Sequence, residues 1–78
     1  MGAYTDRYAE EHAKRDAIET AIRLFGWKVM YQTLRDKGIE TLRFGDGDYE
    51  GKVMCNLRPD HAPTIPGWKL AVYKELFE

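Results

Sequence analysis

This 78-residue chain has little cysteine and no long apolar run. Cys55 is its only cysteine, so an intrachain disulfide and a CxxC metal or redox site are both excluded. The longest uninterrupted apolar run is four residues, 70–73, whereas a membrane-spanning helix needs about 20. The first residues contain no apolar segment of the kind that a secretory signal carries. These absences favour a reducing, cytoplasmic compartment.

An excess of one charge is also lacking. Twelve Lys and Arg residues stand against 13 Asp and Glu residues, a formal net charge of −1. This balance argues against a general electrostatic footprint for nucleic acid and against an acidic mimic of it. Hydrophobic residues make up 44% of the chain, an ordinary share for a globular protein, and aromatic residues a generous 13%. A chain of this size is expected to form one domain, residues 1–78, with a thin core that disfavours a large cofactor cavity.

Helical spacing dominates the first part of the chain. Thr5 is placed to cap a helix over residues 6–25, a stretch without glycine or proline. Acidic residues there precede basic ones by four positions, as Glu10 precedes Lys14, which is the favourable orientation on a helix. The second half of this helix is expected to supply the core contacts, through Ile18, Ile22 and Phe25.

A second helix is predicted directly after Gly26, which breaks or bends the first one. The end of this second helix is marked by Lys37-Gly38-Ile39, which is typical of a Schellman motif with a positive φ at Gly38. Four residues at helical spacing are expected to form its core face: Trp27, Met30, Tyr31 and Leu34.

The period changes to two after Ile39. Alternating residues over 39–44 and 49–57 flank the Gly and Asp cluster at 45–48, which predicts a β-hairpin with a bulge or close backbone approach at Gly51. Residues 68–77 fit two patterns. Trp68, Leu70 and Val72 alternate as in a strand, and a helix fits the same segment through Trp68, Ala71, Val72 and Leu76.

We favour the strand for residues 68–77, because aromatic and β-branched residues follow a Pro-Gly turn. The expected fold class is therefore α+β. Two N-terminal helices would pack on one face of a small antiparallel sheet made of the hairpin and a third strand, in the order α-α-β-β-β.

Three carboxylates, Asp46, Asp48 and Glu50, lie on or beside the predicted hairpin turn. Water should keep them ionised there, so they are unsuited to general acid–base catalysis. A calcium-binding EF-hand loop that starts at Asp46 would have the required glycine at Gly51 but Leu57 in place of the closing glutamate. No catalytic residue, metal site or cofactor is expected.

Cysteine chemistry would need Cys55 together with His12 or His61, and nothing in the sequence brings these residues together. A thiol on a strand is more often a small hydrophobic residue than a nucleophile.

A DNA-binding function is the alternative. Residues 18–27 resemble the first helix and turn of the helix-turn-helix in phage Cro-type repressors, although Ile22 and Gln32 depart from that pattern. The resemblance implies that the outer face of the second helix would contact DNA through Lys28, Gln32 and Arg35, since Gln can read adenine and Arg can read guanine.

The interpretation that we favour is a small non-enzymatic protein-binding module. Chains of this kind are common among phage and mobile-element accessory proteins that inhibit or modulate a host protein complex. Aromatic residues exceed what so small a core can enclose, and exposed tyrosine is typical of protein interfaces. The predicted contact with a basic partner is the hairpin tip, through Asp46, Asp48, Tyr49 and Glu50.

A homodimer is also predicted. Small residues repeat every four positions along the first helix and would let a second helix approach closely. These residues are Ala9, Ala13, Ala17 and Ala21.

Overall fold

The computed structural model describes residues 3–45 and 47–78, with side chains from Tyr8 onward. Its elements follow in the order α1 (Ala3–Phe25), α2 (Trp27–Asp36), β1 (Thr41–Arg43), a 3-10 turn (Gly47–Tyr49), β2 (Val53–Asn56) and α3 (Trp68–Phe77). The α+β class is confirmed. The order of the described elements is α-α-β-β-α, and their sheet has two strands.

Helix α1 begins at Ala3, three residues before the predicted start. Thr5 therefore lies inside the helix, and its prediction as the cap is wrong. Two of the acid–base pairs predicted on this helix are present: Lys14 Nζ lies 3.4 Å from Glu10, and a guanidinium nitrogen of Arg23 lies 3.9 Å from Glu19. Among the described side chains, the predicted pair of Glu11 with Arg15 is not formed. Ion pairs on an exposed helix surface stabilise it only weakly, because water screens the charges.

Gly26 separates α1 from α2 as predicted, with φ 88° and ψ 158°. Trp27, Met30 and Leu34 are buried in the core, which confirms the predicted face of α2. Tyr31 is half-buried and packs against that core.

The Schellman ending of α2 is also confirmed. Gly38 has φ 84°, a value that side chains with a Cβ resist. The amide of Gly38 donates to the carbonyl of Arg35 at 2.9 Å, and the amide of Ile39 donates to the carbonyl of Leu34 at 3.0 Å. Ile39 then packs against the core.

Strands β1 and β2 form the predicted antiparallel hairpin, with Leu42 opposite Cys55 and Arg43 opposite Val53. This register leaves Met54 without a partner, so the bulge lies at Met54 and not at Gly51. The connection over residues 44–52 is longer than a tight turn and contains the 3-10 turn. It is closed by two bonds, from the Phe44 amide to the Lys52 carbonyl and from the Gly51 amide to the Phe44 carbonyl.

The third strand predicted for residues 68–77 is wrong, because this segment is α3. Gly67 (φ 90°) precedes the helix, and the amide of Ala71 donates to its carbonyl at 3.1 Å. Ala71 and Val72 are buried, as the helical pattern required. Helix α3 packs against α1 and β1. Its apolar residues therefore contact neighbours on more than one side of the helix. The apolar residues then do not recur at a clear helical spacing, and the sequence pattern of this segment resembles that of a strand.

The core holds Ile18 at its centre, as predicted, but Phe25 is 66% exposed and the expectation for Phe25 is wrong. Phe25 is the last residue of α1 and does not pack against the core, whose last partner on this helix is Ile22. The buried residues are Ile18, Trp27, Met30, Leu34, Leu42, Leu57, Ala71 and Val72.

Candidate functional site

The loop over residues 44–52, the acidic loop from here on, carries the predicted protein-binding residues. Asp46 lies outside the described residues. Asp48, Tyr49 and Glu50 are all exposed, with the side chain of Tyr49 at 60%. The sequence thus predicted the accessibility of these three side chains, and their role in binding remains a prediction.

The base of the acidic loop is held by Arg43, whose guanidinium donates to the carbonyl of Gly51 at 2.8 Å. The ring of Tyr49 lies against Phe44, with centroids 5.5 Å apart, and Lys52 Nζ lies 5.8 Å from the Tyr49 ring centroid. Lys52 therefore places a cation beside the acidic side chains and reduces the negative field of the loop.

The predicted DNA-contacting residues share one exposed face of α2, because Gln32 and Arg35 follow Lys28 by four and seven positions. Two of them are engaged with carboxylates. Gln32 Nε2 donates to Asp36 at 2.9 Å, and Arg35 donates to Glu40 at 2.7 Å. Both carboxylates would repel DNA phosphates, so this face is poorly suited to contact a DNA backbone.

Cys55 and His61 line the same cleft, of about 290 Å³, beside β2. Burial raises the pKa of the Cys55 thiol, which keeps it protonated and makes it a poor nucleophile. His12 belongs elsewhere: on α1, its ring stacks on Tyr8 and its Nε2 lies 3.6 Å from Asp16. The structure thus brings two of these three residues to one cleft, in an environment that opposes nucleophilic chemistry.

Neither a metal site nor a membrane span is found in the described part of the chain. Over residues 3–45 and 47–78, no three His, Cys, Asp or Glu side chains are grouped so that they could hold a metal ion. Across the same residues, no helix combines the length and apolar character needed to cross a bilayer.

The most exposed apolar side chains around the junction of α1 and α2 are Leu24, Phe25 and Val29, here called the apolar corner. Their exposed fractions are 70%, 66% and 51%. Phe25 was predicted to lie in the core, so this surface was not predicted. A signal was available in Leu24, which lies about 120° around the helix from the predicted core residue Ile18 and therefore on another side of α1.

The alanine stripe predicted to form a dimer is accessible along most of its length. Ala9, Ala13 and Ala17 are exposed, and Ala21 is half-buried against the core. The homodimer remains a prediction.

Of the described surfaces, the acidic loop offers charge and one exposed aromatic ring, and the apolar corner offers three exposed apolar side chains. Comparison with known proteins returns no similar one: no protein-family model matches the chain, and no curated protein sequence or solved structure is significantly similar to it.

Proposed function

We propose that this chain is a non-enzymatic protein-binding module that holds its partner mainly through the apolar corner. The observation that supports this proposal is the exposure of three large apolar side chains within six consecutive residues. Exposed apolar side chains that stand singly are ordinary on soluble proteins, but three of them this close in sequence favour contact with another protein. Removal of apolar surface from water is the dominant favourable term in most protein–protein association.

The acidic loop serves as the second contact in this proposal. Asp48 and Glu50 would attract a basic surface and increase the rate of encounter, and Tyr49 would pack against the partner once docked. Lys52 reduces the net negative charge of the acidic loop. We therefore expect the loop to affect the association rate more than the final affinity.

We propose that the chain is a phage or mobile-element accessory protein. Its partner would be a host protein complex in the cytoplasm, whose activity the chain modulates. The support for this proposal is the small size of the chain, its single half-buried cysteine and the lack of a chemical motif in the sequence.

The proposal is tested by capture from a host lysate with matched variants. Leu24→Gln with Phe25→Gln removes most of the apolar corner. Phe77→Gln is the control, because Phe77 is also 66% exposed but lies at the end of α3. We expect the wild type and the control to capture the same protein, and the corner variant to bind it at least about 30-fold more weakly.

Equal capture by the corner variant would refute the apolar corner as the contact. Thermal unfolding of each variant separates loss of binding from loss of fold, and substitutions of exposed side chains should change stability by no more than about 0.5 kcal/mol.

The DNA-binding alternative is tested with generic duplex DNA at low and moderate salt. We expect little binding at either. Tight binding at low salt that falls steeply with added salt, and that Lys28→Gln with Arg35→Gln abolishes, would place the alternative first.

A further inference from the structure

A cleft of about 400 Å³ lies between α1, the start of the acidic loop and α3. Its volume falls within the range of sites for small molecules, about 300–1,000 Å³. Phe44, Met54 and Leu70 contribute apolar side chains to its lining, and each of them is half-buried. An apolar group of a ligand could therefore be removed from water in this cleft.

Two cations line the same cleft, Arg15 from α1 and Lys74 from α3. Within the described residues, neither of these two side chains makes an ion pair or donates a hydrogen bond. Lys74 is half-buried and lies over Gly45, where a Cβ atom would come within 2.9 Å of its Nζ. The absence of a side chain at Gly45 thus makes room for the ammonium group at the edge of the cleft.

Two acidic residues, Glu11 and Glu78, are near these cations. Glu11 also lines the cleft, and it takes part in an interaction. The side chain that donates a hydrogen bond to Glu78 is Lys14, at 2.6 Å, and this bond lowers the pKa of Glu78, which the charge of Lys74 also helps to lower. Arg15 and Lys74 against Glu11 give the described lining a formal charge of +1.

We propose that this cleft binds a small amphipathic carboxylate. Its apolar tail would lie on Phe44, Met54 and Leu70, and Arg15 and Lys74 would hold its carboxylate. Hydrogen bonds between a cation and a carboxylate are stronger than neutral ones, and a guanidinium can donate two of them in parallel. The site shares no residue with the apolar corner, but it takes Phe44 and Gly45 from the acidic loop, so it is independent of the apolar corner only.

The test is an NMR titration of the full chain with hexanoate, hexanamide and acetate, followed at the backbone amides of Gly45 and Gly67, which both line the cleft. We expect hexanoate to bind with a Kd of about 1 mM. Hexanamide lacks the charge and acetate lacks the tail, so each should bind at least about tenfold more weakly. Equal affinity for hexanoate and hexanamide, or shifts that spare both glycines, would overturn the proposal.

Variants then locate the carboxylate. Arg15→Gln and Lys74→Gln should each weaken hexanoate binding about tenfold. Lys28→Gln is the matched control, because it removes the same charge from an exposed residue that does not line the cleft. Equal weakening by the control would mean that hexanoate responds only to net charge, which contradicts the proposed site.

Gly45→Ala tests the position of Lys74 without changing any charge. The new Cβ would displace only the end of a flexible side chain, so the fold should be retained while hexanoate binding weakens severalfold. Unchanged binding in this variant and in Lys74→Gln would show that Lys74 does not hold the ligand.

Discussion

Helices α2 and α3 each contain ten residues, begin with a tryptophan and follow a glycine with positive φ. Their tryptophans, Trp27 and Trp68, meet edge to face with ring centroids 5.9 Å apart. The two helices bury different shares of their surface. Helix α2 packs one stripe into the core and leaves its other face to water, whereas α3 lies against both α1 and β1.

This difference shows how neighbours shape the sequence of a helix. With one neighbouring layer, the apolar residues of α2 recur at 3.6-residue spacing. With two, the apolar residues of α3 spread around its circumference, and a short segment of this kind cannot be told from a buried strand by its period.

The largest effects are expected from the side chains that each helix buries completely. Leu34 on α2 and Val72 on α3 are both 0% exposed. Leu34→Ala should lower the free energy of unfolding by about 3 kcal/mol and Val72→Ala by about 2 kcal/mol, because each leaves a cavity. Urea unfolding measures both. Val29→Ala on the exposed face of α2 is the control and should cost no more than about 0.5 kcal/mol. An equally small cost for Val72→Ala would contradict the packing of α3.

The next largest difference concerns the two glycines. Gly26 has φ 88° and ψ 158°, a region that is essentially restricted to glycine, whereas Gly67 has φ 90° and ψ −2°, in a left-handed region that asparagine tolerates. A Cβ atom at either glycine would meet no atom within 4 Å, so the loss of stability on substitution depends on backbone strain alone. Gly26→Asn should cost about 1–3 kcal/mol, and Gly67→Asn less than about 1 kcal/mol. Equal thermal shifts for the two variants would refute this distinction.

A smaller contrast is expected between the tryptophans. Trp27 is buried and its Nε1 donates to the carbonyl of Arg58 at 2.5 Å, whereas Trp68 is half-buried. Trp27→Phe loses this hydrogen bond and should cost about 1 kcal/mol more than Trp68→Phe. Parallel urea titrations compare them. A greater cost for Trp68→Phe would mean that the ring contact outweighs the hydrogen bond.

The smallest effect concerns pH and the link between α3 and α1. The hydrogen bond from Lys14 lowers the pKa of Glu78, and the same bond raises the pKa of Lys14. The stability due to Glu78 is complete above its ordinary pKa of 4.5 and is lost as the pH falls through its lowered folded value. That due to Lys14 is complete below its ordinary pKa of 10.5 and is lost as the pH rises through its raised folded value.

Thermal unfolding from acid to alkaline pH checks this linkage. The difference in Tm between the wild type and Glu78→Gln should be greatest between these two limits and should shrink beyond both. Glu40→Gln, which removes the carboxylate that joins Arg35 of α2, controls for the loss of an exposed ion pair. A Tm difference for Glu78→Gln that stays constant over the whole range would show that Glu78 stabilises the fold without its charge.

The candidate sites were predictable to different degrees. Exposure of Asp48, Tyr49 and Glu50 followed from the Gly and Asp residues around them, since such residues favour turns at the surface. The apolar corner was not predicted, because Phe25 has the spacing of a core residue and its exposure depends on which residues of other elements pack against the end of α1. The cleft with Arg15 and Lys74 joins residues 59 positions apart in the chain, which no local pattern relates.

By itself, the sequence determined α1, α2, the stop at Gly38 and the hairpin, because these features depend on residues a few positions apart: helical and strand spacing, and glycine at positive φ. Tertiary structure decided that residues 68–77 form a helix, that Phe25 is exposed and that a cleft with two cations opens beside Phe44. Each of these depends on which distant elements pack against a segment, and the free energy of burial responds to that environment and not to local sequence.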